Sequence, residues 1–67
     1  MSNTFEIIER VGISTESTTE AIRSVVLEAN KEKRVSWFEV TEPRGRVTSD
    51  GKLEFQVTVK MGRKLNE

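Results

Sequence analysis

Neither cysteine nor histidine occurs among the 67 residues, and that double absence decides how such a chain can hold together. Domains this short bury a small share of their surface and usually need a disulfide, a metal or a partner subunit. Without cysteine there is no disulfide, zinc–thiolate site or iron–sulfur cluster. Without histidine the commonest metal ligand and the commonest general base are missing as well. A calcium or magnesium loop needs clustered carboxylates, and Asp50 is the only aspartate. Apolar residues make up 34% of the chain, enough for one small core. The staple left is oligomerisation. The expectation is a single domain over residues 1–67 that works as a homo-oligomer, with function sited where subunits meet.

Charge excludes several partner classes. Eleven basic and eleven acidic residues balance and are interspersed along the chain. The basic clusters Lys31–Arg34, interrupted by Glu32, and Arg63–Lys64 are short and read as solvated surface. A nucleic-acid binder of this size would present a net basic face, so no nucleic-acid partner is expected. The longest apolar run, Val25–Leu27, is far too short for a membrane span or a signal peptide. A soluble, cytoplasmic protein without a membrane partner is therefore expected.

Periodicity organises the chain as β-α-β-β. Thr4–Val11 alternates, with Phe5, Ile7 and Val11 on one side and Glu6, Ile8 and Arg10 on the other. Gly12 is expected to end this strand. Ser17 and Glu20 fit a capping box, with Ser14 as a competing cap. Ala21, Ile22, Val25, Val26 and Ala29 recur at helical spacing, predicting a helix from Thr18 to about Lys31. Arg34–Thr48 alternates again, with Phe38 and Val40 opposed to Trp37, Glu39 and Thr41. Pro43 and Gly45 interrupt it, predicting a bulge or bend there and an edge strand. Ser49-Asp50-Gly51 is a hairpin turn signal, and Lys52–Met61 is the most regular strand. The expected fold class is α+β: a three-stranded antiparallel sheet, last strand central, with one helix on one face.

One sheet face is then bare. Phe38 and Val40 are expected to join Phe55 and Val57 in the core under the helix, which puts Trp37 and Gln56 on the opposite face. They are the only tryptophan and the only glutamine. An indole there needs cover, from a partner subunit or from a flat ligand. An amide beside it can donate and accept at once, matching the O=C–N–H edge of a pyrimidine-dione ring.

Three segments then carry a family resemblance. Gly12-Ile13-Ser14-Thr15-Glu16-Ser17 is similar to a Gly-Thr-Ser-x-x-Ser entry to a helix. Trp37-Phe38-Glu39-Val40-Thr41-Glu42-Pro43-Arg44-Gly45-Arg46-Val47 is similar to Trp-Phe-Glu-Val-x-x-x-Arg-Gly-x-Ile, and Gln56-Val57-Thr58-Val59-Lys60-Met61-Gly62 to Gln-Val-x-Leu-x-Val-Gly. In this order, over essentially the whole chain, they resemble the dodecin family of small flavin-binding proteins. The resemblance implies a hollow homododecamer, helices outside and sheets lining the interior. It implies riboflavin, FMN or an FAD-related flavin held between subunits. Trp37 and its symmetry mate would stack on the isoalloxazine, and Gln56 would bond its pyrimidine edge. Arg46 would lie near the ligand, and Lys64 would either face an FMN phosphate or serve as surface charge. Three departures bear on assembly and affinity: Arg63 replaces a common Phe, Ile13 replaces Thr, and the Asn30–Arg34 stretch is about one residue short and lacks a Leu.

The resemblance implies flavin storage and photoprotection without turnover. The competing reading is a dodecin-like scaffold that has lost flavin or binds another ligand, such as a nucleotide cofactor. An enzyme is not expected, because no base–orienter pair is visible. Glu39 and Glu42, three apart on a strand, are expected on opposite faces and so unable to form a dyad.

Overall fold

The structure is a computed structural model that describes residues 4–65. Its elements are β1 (Phe5–Ser14), α1 (Thr18–Glu32), β2 (Trp37–Val47) and β3 (Leu53–Lys64). The sheet order is β1-β3-β2, and both neighbouring pairs are antiparallel. The expected α+β architecture, with β3 central and one helix on one face, is what the chain adopts.

The helix starts where its cap chemistry puts it. Ser17 is the N-cap, and its hydroxyl accepts from the Glu20 amide at 3.0 Å. Ser14 takes a different part, its hydroxyl accepting from the Glu16 amide at 2.9 Å and tightening the turn before the helix. At the far end Asn30 Oδ1 accepts from the Val35 amide at 2.8 Å, fastening the short link into β2.

The apolar stripe of α1 packs on the centre of the sheet. The fully buried core is Ala21, Val25 and Ala29 of the helix with Val57, Val59 and Met61 of β3, flanked by Ile8, Ile22, Val26, Val35 and Val40. Alanines on the stripe let the helix lie close, and β1 answers with Gly12. A Cβ at Gly12 would collide with the Ala21 carbonyl oxygen and come within 2.9 Å of Val25 Cβ. Gly12 therefore does not end β1, as its residue type suggested. The strand runs on to Ser14, and the glycine is the bare patch on which the helix rests.

Strand β2 departs from expectation in two places. Its pairing with β3 slips between Val40 and Glu42, so the bulge is at Thr41, while Pro43 and Gly45 remain in register opposite Val57 and Phe55. The proline is tolerated because β2 is an edge strand. One extra residue inverts the alternation beyond it. Glu39 (opposite Lys60) and Glu42 (opposite Thr58) consequently share a face, where opposite faces were expected.

Phe38 also differs: it lies on the helix side, yet it is 51% exposed. The helix leans on β1 and β3 and barely reaches β2. The β2–β3 hairpin extends beyond it, giving an elongated body of 52 × 19 × 15 Å. Val47 and Leu53 near its tip are exposed on the same side as Phe38. Gly51 at φ 83° makes the turn, and Thr48 closes it by accepting from and donating to Lys52, each at 3.1 Å through its hydroxyl.

The helix side of the sheet ends in an ion-pair cluster. Arg10 makes a bidentate contact to Glu32 at 2.7 and 3.0 Å. Arg63, with only 11% of its side chain exposed, reaches Glu6 at 3.1 Å and Glu32 at 3.8 Å. The bonded Arg10 guanidinium holds the Glu32 carboxyl below the usual glutamate range, and Glu32 in turn raises Arg10. A lowered folded-state pKa means that the pair's contribution is complete above the ordinary glutamate value, about 4.3. It is lost as pH falls through the lowered folded value. Unfolding measured by urea at a series of pH values should show a declining midpoint below about pH 4.3. Glu32→Gln should start lower and flatten that decline.

Candidate functional site

Strand register defines the bare face. Residues paired across an antiparallel sheet share a side, so Gln56, Thr58, Lys60, Gly62 and Lys64 of β3 point away from the helix. With them go Phe5, Ile7, Glu9, Val11 and Ile13 of β1, and Trp37, Glu39, Glu42, Arg44 and Arg46 of β2. The larger apolar row of β1 is thus the uncovered one. Phe5, Ile7, Val11 and Ile13 are 39–56% exposed, while the helix covers the row containing Arg10. Nothing in the described chain lies over this face.

Trp37 is at one end of it, 40% exposed and opposite Gly62 in the ladder. A Cβ built on Gly62 would overlap the indole and be almost equally close to Cε2, Nε1 and Cζ2. Cε2 is nearer than Nε1 and Cζ2, the two atoms bonded to it on either side, which puts that point over the ring face; in the ring plane the two outer atoms would be the nearer ones. The indole is therefore laid flat on the backbone of β3 in space that any side chain at residue 62 would fill. One ring face is closed by the protein, and the other is open. Lys64 continues this end of the face, two residues beyond Gly62 and opposite Phe5.

Gln56 and Arg46 are at the other end. Gln56 is opposite Ile13 on one side and Arg44 on the other. Its Nε2 donates to Glu54 Oε1 at 3.0 Å. Arg46 Nε donates to the same oxygen at 2.7 Å. The Glu54 side chain is only 18% exposed. Its carboxyl is held below the usual glutamate range, first by Arg46 and then by Gln56, and it raises Arg46 in return.

The four residues singled out by sequence thus share one face but form two groups, Trp37 with Lys64 and Gln56 with Arg46. Gly62 lies six steps along β3 from Gln56, about 20 Å at the usual strand rise. A small planar molecule touching both groups must take them from different subunits. Two contributors were missed. Gly62 acquires its meaning only from the register that sets it against Trp37. Glu54 was legible, because a residue two before Gln56 on a strand shares its side. Arg63 lies away from this face, engaged by Glu6 and Glu32. The apolar contact its position suggests is replaced by ion pairs within the chain.

The face thus offers, at one end, an open indole face suited to a flat ring system and, at the other, an amide suited to an imide edge. Gly62→Ala should lift the indole from β3 and expose both its faces. The expected outcome is a red-shifted emission of Trp37, the only tryptophan, and easier quenching by acrylamide. An unchanged spectrum would contradict the close seating of the ring on Gly62.

Comparison with known proteins bears on the family and the fold. The family model described as Dodecin matches residues 4–66. A Dodecin from Thermus thermophilus is 37% identical over 68 residues, covering 100% of this chain and 99% of its own. A crystal structure of a Thermus thermophilus protein superposes with a TM-score of 0.86 at 36% identity over 98% of both chains. The crystal structure described as calcium dodecin from Mycobacterium tuberculosis, with a calcium-binding site, superposes with a TM-score of 0.86 over 94% of this chain and 91% of its own. At 22% identity it attests the fold alone. Family model, full-length identity and three-dimensional fold coincide: the chain belongs to the dodecin family.

Proposed function

We propose that the protein stores riboflavin, FMN or an FAD-related flavin in a cytoplasmic homododecamer, stacking it on Trp37 at subunit interfaces and quenching its excited state without catalytic turnover. The observation that carries this reading is the seating of Trp37 on Gly62, which offers one open indole face on a sheet surface the helix leaves bare. Two such faces from neighbouring subunits make a dry slot for flat rings. Gln56 of a further subunit meets the pyrimidine edge with a donor and an acceptor, flanked by Arg46. Lys64, beside Trp37, is placed to meet a phosphate when FMN is the ligand.

A bound flavin supplies a chromophore that sensitises oxygen under blue light. The protein's part is to exclude water and oxygen with apolar walls. Trp37 holds an electron-rich ring in van der Waals contact, from which an electron can pass to the photoexcited ligand and return. No base or nucleophile poised on the substrate side is needed for that work. The exposed apolar residues of β1 supply the contacts for assembly, and binding only to the assembled shell links flavin to oligomer stability.

The competing reading is a shell with a different cargo, for which the calcium dodecin of Mycobacterium tuberculosis is the motive. Among the described residues no group of three or more His, Cys, Asp or Glu side chains could hold a metal ion. Titrating ligand-free protein with riboflavin and with FMN, with light scattering on the same sample, separates the two. Saturable loss of flavin fluorescence on a particle near twelve subunits is expected. Trp37→Ala should weaken binding at least about tenfold, some 1.4 kcal/mol, and keep the particle. An intact particle that leaves flavin fluorescence unchanged would favour a different cargo.

A further inference from the structure

On the bare face, Glu54 is not in line with any ligand contact assigned above, yet it is the hub of the Gln56 end. It accepts from Arg46 Nε at 2.7 Å and from Gln56 Nε2 at 3.0 Å, both on Oε1. Ionised carboxylate can only accept hydrogen bonds. A glutamine amide facing it must therefore present nitrogen, whichever way the amide would otherwise turn. Arg46 keeps that carboxylate ionised and in place.

We infer that Glu54 is a positioning residue that fixes the hydrogen-bond polarity of Gln56 and thereby selects the edge of the ligand. With the nitrogen end held by Glu54, the amide offers Oε1 and its remaining N–H to the ligand. An edge with an N–H flanked by a carbonyl, as in a cyclic imide, satisfies both. An edge whose N–H is replaced by N–CH₃ leaves Oε1 without a donor, and a site built for a hydrogen bond rejects such an analogue strongly. If the carboxylate is absent, the amide can turn over and the choice between edges is relaxed. This inference rests on the flavin reading for its ligand, but the polarity of Gln56 is a property of the free protein and can be read without one.

Gln56 is the only glutamine in the chain, so glutamine-selective ¹⁵N labelling gives a single side-chain NH₂ signal. Glu54→Met adds no amide and cannot accept a strong hydrogen bond. In the native oligomer the two Nε2 protons should be well separated in shift, with one slow to exchange. In E54M they should converge. Riboflavin should bind native protein at least about tenfold more tightly than 3-methylriboflavin, and E54M should narrow that ratio severalfold by weakening riboflavin alone. Should E54M fail to assemble, Arg46→Met, which leaves Glu54 unanchored, should show the same changes in smaller measure. Unchanged proton separation in the variant that assembles overturns the inference, as does an unchanged ratio where flavin binds. If native protein binds neither flavin, the flavin reading fails, and the Nε2 protons still decide the role of Glu54.

Discussion

A sheet has two faces and this chain has one helix. From that mismatch most of the structure follows. The helix lies on Val57, Val59 and Met61 of β3 and rests against Gly12 of β1, and the core it completes contains no aromatic residue. Phe5, Phe38 and Trp37 all keep substantial exposure. Large apolar groups that a single subunit leaves in water are the driving force for association. A chain with no disulfide to fall back on would gain from the association proposed above the stability that a single subunit's small core does not supply.

The division of labour between the two faces is sharp. The helix side ends in a compact charge cluster, where Arg10, Arg63, Glu6 and Glu32 neutralise one another. The open side carries the second charge network, Arg46 with Glu54 and Gln56, together with the indole. Both networks tie neighbouring elements across the sheet, the first joining β1, β3 and the helix, the second joining β2 to β3. The departure at Arg63 is thus absorbed internally, away from the face on which Trp37 and Gln56 lie.

Regular periodicity made the elements readable. The Ala21–Val25–Ala29 stripe and the Ser17 cap placed the helix, and the alternation of Leu53, Phe55, Val57, Val59 and Met61 placed the central strand. Alternation also put Trp37 and Gln56 on one side. It could not say how far apart they are, because distance along a sheet comes from register, and register here is reset by the bulge at Thr41. The same bulge brought Glu39 and Glu42 to one face. Pro43 and Gly45 drew attention because they commonly break strands, whereas the extra residue sat two positions earlier at an unremarkable threonine. Gly12 misled for a related reason. Its type suggested a stop, but the cause was a close approach by the helix, visible only once the layers are stacked. Phe38 was assigned to the correct side of the sheet, yet side alone does not bury a residue that the helix fails to reach.

The seating of Trp37 on Gly62 has a consequence for how many molecules a protein with the proposed function could carry. An indole accessible from both sides would let flat rings pile up on it in columns of any length, as free aromatic dyes do in water. With one side sealed by the β3 backbone, each tryptophan can only terminate a stack. In the proposed assembly two tryptophans facing one another would define a slot of fixed width, and the load would be counted by the number of slots, not by the concentration of dye.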